Sequence, residues 1–170
     1  SKDNYQQSVT DIAEICCDSD VLFPSWIQRV ESSNDKSHAL CNLAQLHCWY
    51  GDRNEAQKYA QEAIELLDDL ILHNKRNAAL YRSRRAVCFA ILGRTEEAVA
   101  ELAAVRNMPL CEGCSYCSCK DADIYEANFA EISGEYEKAL KLYSAGREMW
   151  PDDQDFIAGI NRMKKKGYTL

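Results

Sequence analysis

The sequence predicts an all-α fold built from stacked helical hairpins, and a threefold repeat is the main reason. Gly51, Gly93 and Gly134 are each followed five residues later by an alanine, and apolar residues then recur at helical spacing. The glycines lie 42 and then 41 residues apart, within the range of helical repeat arrays. No segment alternates apolar and polar residues as a strand does. Because one hairpin cannot bury its own apolar face, we expect the hairpins to stack into an α-solenoid with a concave surface.

Residues 1–35 are predicted to form an N-terminal helical hairpin. Its first helix covers residues 4–17, where apolar residues form one helical stripe, and residues 18–20 are expected to end it. Pro24 suits the first turn of a second, short helix, since proline is tolerated where the backbone N–H has no helical partner. The polar residues 32–35 then break the chain and cap the next helix.

Residues 36–150 are predicted to form three repeats, at about 37–78, 79–119 and 120–153. The second helix of each hairpin begins just after the glycine, and residues 74–77 separate the first repeat from the second. Pro109 disfavours helix at the residue before it, and Pro151 stops the third hairpin. Residues 153–170 are expected to hold a capping helix, because Phe156, Ile160 and Met163 give it only one apolar face.

The third copy carries a resemblance to a known family through Gly134, Tyr136, Ala139, Tyr143, Gly146 and Pro151. This spacing resembles the second half of a tetratricopeptide repeat, with glycine at 146 where the family most often has alanine. The first two copies have Arg53 and Thr95 in place of the tyrosine, and the period exceeds the family's 34 residues. The resemblance implies a right-handed superhelix of antiparallel hairpins that recognises a protein or a peptide.

In this family the first helix of each pair lines the concave groove, and the resemblance carries that role to particular positions here. A polar set of this kind suits an extended peptide backbone and a carboxylate. Some members of the family bind the acidic carboxy-terminal tails of heat-shock chaperones through a specific set of lysines and asparagines. That set is not present in this sequence. The groove residues so implied are Asn42, Gln45, Ser83, Arg84, Tyr125, Asn128 and Arg162.

The composition limits the classes of partner. Hydrophobic residues make up 46% of the chain and charged residues 28%, a balance typical of a globular domain. The net charge of −7 argues against nucleic acid, because phosphates need clustered positive charge. No stretch approaches the length of a membrane span. Nine cysteines, an odd number, favour free thiols in a reducing cytoplasm over a disulfide framework.

A cysteine-rich loop between the second and third repeats is the sharpest chemical feature. Cys111, Cys114, Cys117 and Cys119 bring four sulfur atoms close together, and thiolates suit zinc or an iron–sulfur cluster, with zinc ahead. The spacing is irregular and no histidine lies nearby. The loop is therefore expected to hold free thiols and no cofactor, with zinc as the alternative.

The predicted function is a non-catalytic protein- or peptide-interaction module. No phosphate loop, nucleophile elbow or nucleophile–base pair appears at a recognisable spacing, so we expect no enzymatic activity. Two alternatives remain open. In the first, the chain is the peptide-sensing part of a bacterial helix-turn-helix transcription regulator, which its start without methionine permits. In the second, it is a zinc- or redox-responsive protein that acts through the cysteine loop.

Overall fold

The computed structural model describes residues 13, 16–108 and 120–169, and these form eight α-helices with no strand among them, which confirms the all-α prediction. A single turn of 3₁₀ helix, Lys75–Asn77, precedes the fourth. The helices are α1 (Ser19–Ser32), α2 (Lys36–Tyr50), α3 (Arg53–His73), α4 (Ala78–Ile91), α5 (Thr95–Arg106), α6 (Lys120–Ile132), α7 (Tyr136–Met149) and α8 (Gln154–Lys165). None of these helices combines the length and the apolar character needed to cross a membrane.

The helices pack in pairs, α2 with α3, α4 with α5 and α6 with α7. The first helices of the pairs also contact one another, since α4 touches both α2 and α6, and α2 touches α6 directly. The second helices are further apart: within the described chain, α3 makes no contact with α5, and α5 makes none with α7. The first helices therefore lie on the inner side of the array, where α1 packs on α2, and α8 packs on α6 and α7.

Glycine is required at the three repeated positions for two different structural reasons. Gly93 and Gly134 have φ angles of +77° and +80°, in the left-handed region that side chains rarely adopt, so each ends its helix and starts the turn. Gly51 has a φ of −132° and needs no such freedom. There, a Cβ atom would lie 2.7 Å from Nδ1 of His47, so close approach excludes a larger residue.

The repeated alanines are fully buried where the paired helices meet. Ala56, Ala98 and Ala139 are all 0% exposed. Each lies in the first turns of the second helix of its pair.

Replacing Ala139 with leucine is expected to lower the free energy of unfolding by about 1–3 kcal/mol, because the added atoms overpack a closed site. Urea unfolding followed by circular dichroism measures the change. Ala145→Leu on the same helix is the matched control, since Ala145 is exposed. Equal stability of the two variants would contradict this packing.

The predicted start of the short helix around Pro24 is wrong, because this helix, α1, begins at Ser19. Asp18 is the N-cap of α1, with extended backbone, so Pro24 lies inside α1 rather than in its first turn. Before Asp18, Cys16 is helical and Cys17 is in a turn, so a helix does end just before residues 18–20. Leu22 and Trp26, on either side of Pro24, are 2% and 5% exposed, and their burial against α2 holds the helix together across the missing N–H donor. Most of the predicted helix over residues 4–17 lies outside the described residues, so the N-terminal hairpin stays a prediction.

The predicted capping helix is present as α8. The Asp153 carboxylate accepts a hydrogen bond from the backbone N–H of Asp155 at 3.1 Å and so caps its first turn. Phe156 and Met163 are 0% exposed and Ile160 is 6% exposed, which places the apolar stripe against the rest of the core.

Candidate functional site

A cavity of about 450 Å³ lies among α1, α2, α4, α6 and α8. The inner helices build it because their turns bring side chains four residues apart onto one face. Five of the seven residues implied by the family resemblance line this cavity: Asn42, Arg84, Tyr125, Asn128 and Arg162.

Gln45 and Ser83 do not line the cavity and are structural residues. Gln45 is 1% exposed, and its Oε1 accepts a hydrogen bond from Asn128 Nδ2 at 2.7 Å, which joins α2 to α6. Ser83 is 0% exposed and its hydroxyl donates to the carbonyl of Ala79 at 2.9 Å. The expectation that these two side chains face a groove is therefore wrong, because neighbouring helices cover them.

Arg84 is fixed on one wall by two partners. Its Nη1 donates to Oδ2 of Asp35 at 2.8 Å, and its Nε donates to the hydroxyl of Tyr125 at 3.1 Å. Burial opposes the charge of Arg84, but Tyr125 and Asp35 outweigh it and raise the pKa of the guanidinium. Burial likewise acts to raise the pKa of Asp35, but the hydrogen bonds from Arg84, Ser37 and the backbone of His38, together with the charge of Arg84, outweigh it and lower the pKa. The two charges therefore neutralise each other.

Arg162, on α8, is held by more partners than Arg84. Its Nε lies 3.1 Å from both carboxylate oxygens of Glu131, and its Nη2 lies 2.9 Å from Oε2. The hydroxyl of Tyr143 lies 2.7 Å from both Glu131 Oε2 and Asn128 Oδ1 and accepts from Arg162 at 3.2 Å. The indole ring of Trp49 completes the enclosure, 3.6 Å from the guanidinium carbon.

The cavity wall also holds aromatic rings and buried polar atoms that lack partners. Trp26, Trp49 and Tyr50 line it. Nε1 of Trp49 and Oε1 of Gln154 are buried, and neither has a hydrogen-bond partner within the part of the chain that the structure describes. A buried donor and a buried acceptor without partners are rare in folded proteins.

The remaining lining is acidic. Asp121, at the start of α6, and Asp152, Asp153 and Asp155, at the start of α8, reach the cavity. Asp155 has an exposed surface but stands inside the concavity, where loss of water and the charge of Asp153 raise its pKa to about 6, against the opposing effect of Lys120. Four aspartates from the starts of these two helices therefore line the cavity together with the arginines.

His38 adds no positive charge near neutral pH. Burial, together with the charge of Arg84, lowers its pKa to about 4, although Asp35 acts in the opposite direction. The imidazole ring meets the Trp26 ring edge-on, with 5.4 Å between centroids.

Sequence reasoning missed several lining residues that a simple rule would have found. His38 lies four residues before Asn42 on α2, and Asp121 lies four residues before Tyr125 on α6. Extending each implied position by one helical turn gives both of these residues. The sequence contains no such signal for the aspartates at the start of α8, because their pattern is that of an ordinary helix start.

The predicted metal loop, Cys111 to Cys119, lies outside the described residues. Elsewhere in the described chain, no group of three or more His, Cys, Asp or Glu side chains is arranged to hold a metal ion. The described cysteines carry free thiols, of which Cys41 and Cys88 are buried, Cys17 and Cys48 half-buried and Cys16 exposed.

Comparison with known proteins gives no relative: no family model matches the sequence, and neither does any curated protein or solved structure. The tetratricopeptide resemblance therefore rests on the quoted residues alone and stays a prediction. The regulator and zinc-responsive alternatives are in the same position.

Proposed function

We propose that this chain is a non-catalytic protein-interaction module that binds a short peptide segment in the cavity. The observation that carries the proposal is the convergence of Asn42, Arg84, Tyr125, Asn128 and Arg162, from four helices, on one cavity of about 450 Å³. Cavities of roughly 300–1,000 Å³ suit small ligands. A few residues of a peptide match that size, whereas a folded protein surface does not.

The polar groups of the cavity are held in place before any ligand arrives. Arg84 is fixed by Asp35 and Tyr125, and Arg162 by Glu131 and Tyr143. A preorganised site loses little side-chain entropy on binding, and this favours recognition of a flexible segment.

The same pairing supports a binding role over catalysis. Proton transfer requires a titratable group that is available to the substrate. At this cavity, the charge of Arg84 is paired with the half-exposed carboxylate of Asp35, and the charge of Arg162 is paired with the buried carboxylate of Glu131. We therefore propose that the chain has no enzymatic activity of its own.

We also propose that the hairpins form a right-handed superhelix of tetratricopeptide type. Its curvature is tight enough to enclose a cavity instead of leaving an open groove. The pairing of successive helices and the direct contact of α2 with α6 support it. The net charge of −7 supports a protein or peptide partner over nucleic acid, and the odd number of cysteines supports a cytoplasmic location.

Filling the cavity tests the proposal. A phage-displayed library of random hexapeptides is selected on the folded protein, and the enriched peptides are synthesised with a fluorescent label and titrated by polarisation. Asn42→Trp, whose side chain occupies the cavity, is expected to weaken their binding at least about tenfold, equivalent to 1.4 kcal/mol.

Val99→Trp is the matched control, because Val99 is 51% exposed on α5, away from the cavity. It should leave the affinity unchanged. The proposal fails if no peptide is enriched, or if the enriched peptides bind the Asn42→Trp protein as well as they bind the parent.

A further inference from the structure

We infer that the cavity holds its peptide by the main chain, with Asn42, Arg84 and Arg162 donating hydrogen bonds to uncharged carbonyl oxygens. The inference rests on the proposed function and names the part of the peptide that the cavity recognises. It follows from which nitrogen atoms of these three side chains are bonded within the protein and which are not.

Each of the two arginines keeps one terminal nitrogen without a partner. Nε and Nη1 of Arg84 bond Tyr125 and Asp35, whereas Nε and Nη2 of Arg162 bond Glu131. Within the described part of the chain, Nη2 of Arg84 and Nη1 of Arg162 have no acceptor, and neither is fully covered by protein atoms. Arg84 is 6% exposed and Arg162 is 7% exposed, so the cavity that they line is the route by which a ligand reaches these nitrogens.

Asn42 supplies a third donor, from α2. Its Oδ1 accepts a hydrogen bond from Nε2 of Gln45 at 3.2 Å, which sets the orientation of the amide. Nδ2 is then the free end of the amide, with no acceptor among the described residues, and Asn42 also lines the cavity. Donors from α2, α4 and α8 are therefore available to one ligand.

Uncharged oxygens suit these donors better than a carboxylate does. The positive charges of Arg84 and Arg162 are already balanced by Asp35 and Glu131, at 2.8 Å and 2.9 Å. Four aspartates line the same cavity. A ligand carboxylate would add a negative charge to this set, and like charges at close range repel each other. A carbonyl oxygen accepts the same hydrogen bonds without bringing a charge.

The main chain of a peptide carries one such oxygen in every residue, whatever the side chain. One short segment can therefore meet donors from three helices. The rings of Trp26, Trp49 and Tyr50, which line the same cavity, remain to contact its side chains. Main-chain bonds thus place the peptide, and the rings distinguish one peptide from another.

Replacing single carbonyl oxygens of one selected hexapeptide with sulfur tests the inference. A thioamide sulfur accepts hydrogen bonds more weakly than oxygen, and the side chains of the peptide stay the same. Each analogue competes with the labelled parent peptide in the polarisation assay. At two or more positions we expect binding to weaken at least about fivefold, because a hydrogen bond to the protein is damaged. A peptide ending in a carboxy-terminal amide should bind as well as one ending in a free acid.

Asn42→Asp connects one sensitive position to one side chain. The change keeps an oxygen that can accept from Gln45 and removes the Nδ2 donor. In this variant one of the sensitive thioamides should lose its effect, since the double-mutant cycle separates a lost hydrogen bond from the larger size of sulfur. Asn54→Asp is the matched control, because it makes the same change at an exposed position of α3 and should preserve the whole pattern.

Three results would overturn the inference: thioamides that have no effect at any position, a requirement for a free carboxy terminus, or a pattern unchanged by Asn42→Asp. Each of them leaves cavity binding intact as long as Asn42→Trp still weakens it. Failure of every peptide to respond to Asn42→Trp would overturn the proposed function and this inference together.

Discussion

Replacing Glu131 with glutamine is expected to lower the free energy of unfolding by about 3–5 kcal/mol, because it leaves a buried guanidinium without its counter-charge. Arg162 is 7% exposed and Glu131 is 2% exposed, so water cannot replace the lost carboxylate. Tyr143 loses a charged neighbour at the same time. Urea denaturation followed by circular dichroism measures the difference.

Glu135→Gln is the control for this prediction. Glu135 pairs with Lys138 at 2.9 Å, but its side chain is 45% exposed, so the change should cost less than about 1 kcal/mol. The combined Glu131→Leu and Arg162→Met variant should recover much of the loss, since it removes both charges. A Glu131→Gln protein as stable as Glu135→Gln would show that the pair is not buried as described.

Replacing Gly146 with alanine is expected to lower the free energy of unfolding by about 3 kcal/mol, although alanine favours a helix. A Cβ atom at this position would lie 2.0 Å from Cε1 and 2.3 Å from Cδ1 of Phe156. The Phe156 ring is 0% exposed and stacks on Trp150 with 5.7 Å between centroids, so it cannot move aside. This cost outweighs the gain of about 1 kcal/mol in helix propensity.

Replacing Phe156 with a smaller residue tests whether its ring causes the destabilisation. Phe156→Leu combined with Gly146→Ala should be less destabilised than the sum of the two single changes, because each relieves the other. Lys141→Ala, at an exposed position of α7, is the control for the effect of alanine on the helix alone. Thermal melting of these four variants and the parent protein gives the comparison. A melting temperature of Gly146→Ala equal to or above that of the parent would refute the close contact.

The glycine at 146 is also where the chain departs from the family it resembles, which most often has alanine there. The sequence showed the departure but not its reason. Phe156 lies on the next helix, and only the packing of α8 on α7 brings its ring against Gly146. Local patterns predicted the helices well, because glycine turns and buried alanines act within a few residues of one another.

The candidate site was predictable only in part, for the same physical reason. The family resemblance implied which face of α2 points inward, and Asn42 does reach the cavity. Gln45 lies on the same face but is covered by α6, and the approach of these two helices joins residues 83 positions apart. The inward position of Asp155 likewise depends on how α8 closes the array, which no local pattern contains.

The bridges between distant parts of the chain also bear on how it unfolds. An array in which each repeat touches only its neighbours frays from its ends, and its middle survives alone. Here Gln45 bonds Asn128, Trp49 covers Arg162, and Lys165 Nζ donates to the carbonyl of Cys16 at 2.7 Å across 149 residues. Loosening of the last helix therefore removes support from the first repeat at once. We therefore expect the chain to unfold as a single cooperative unit rather than repeat by repeat.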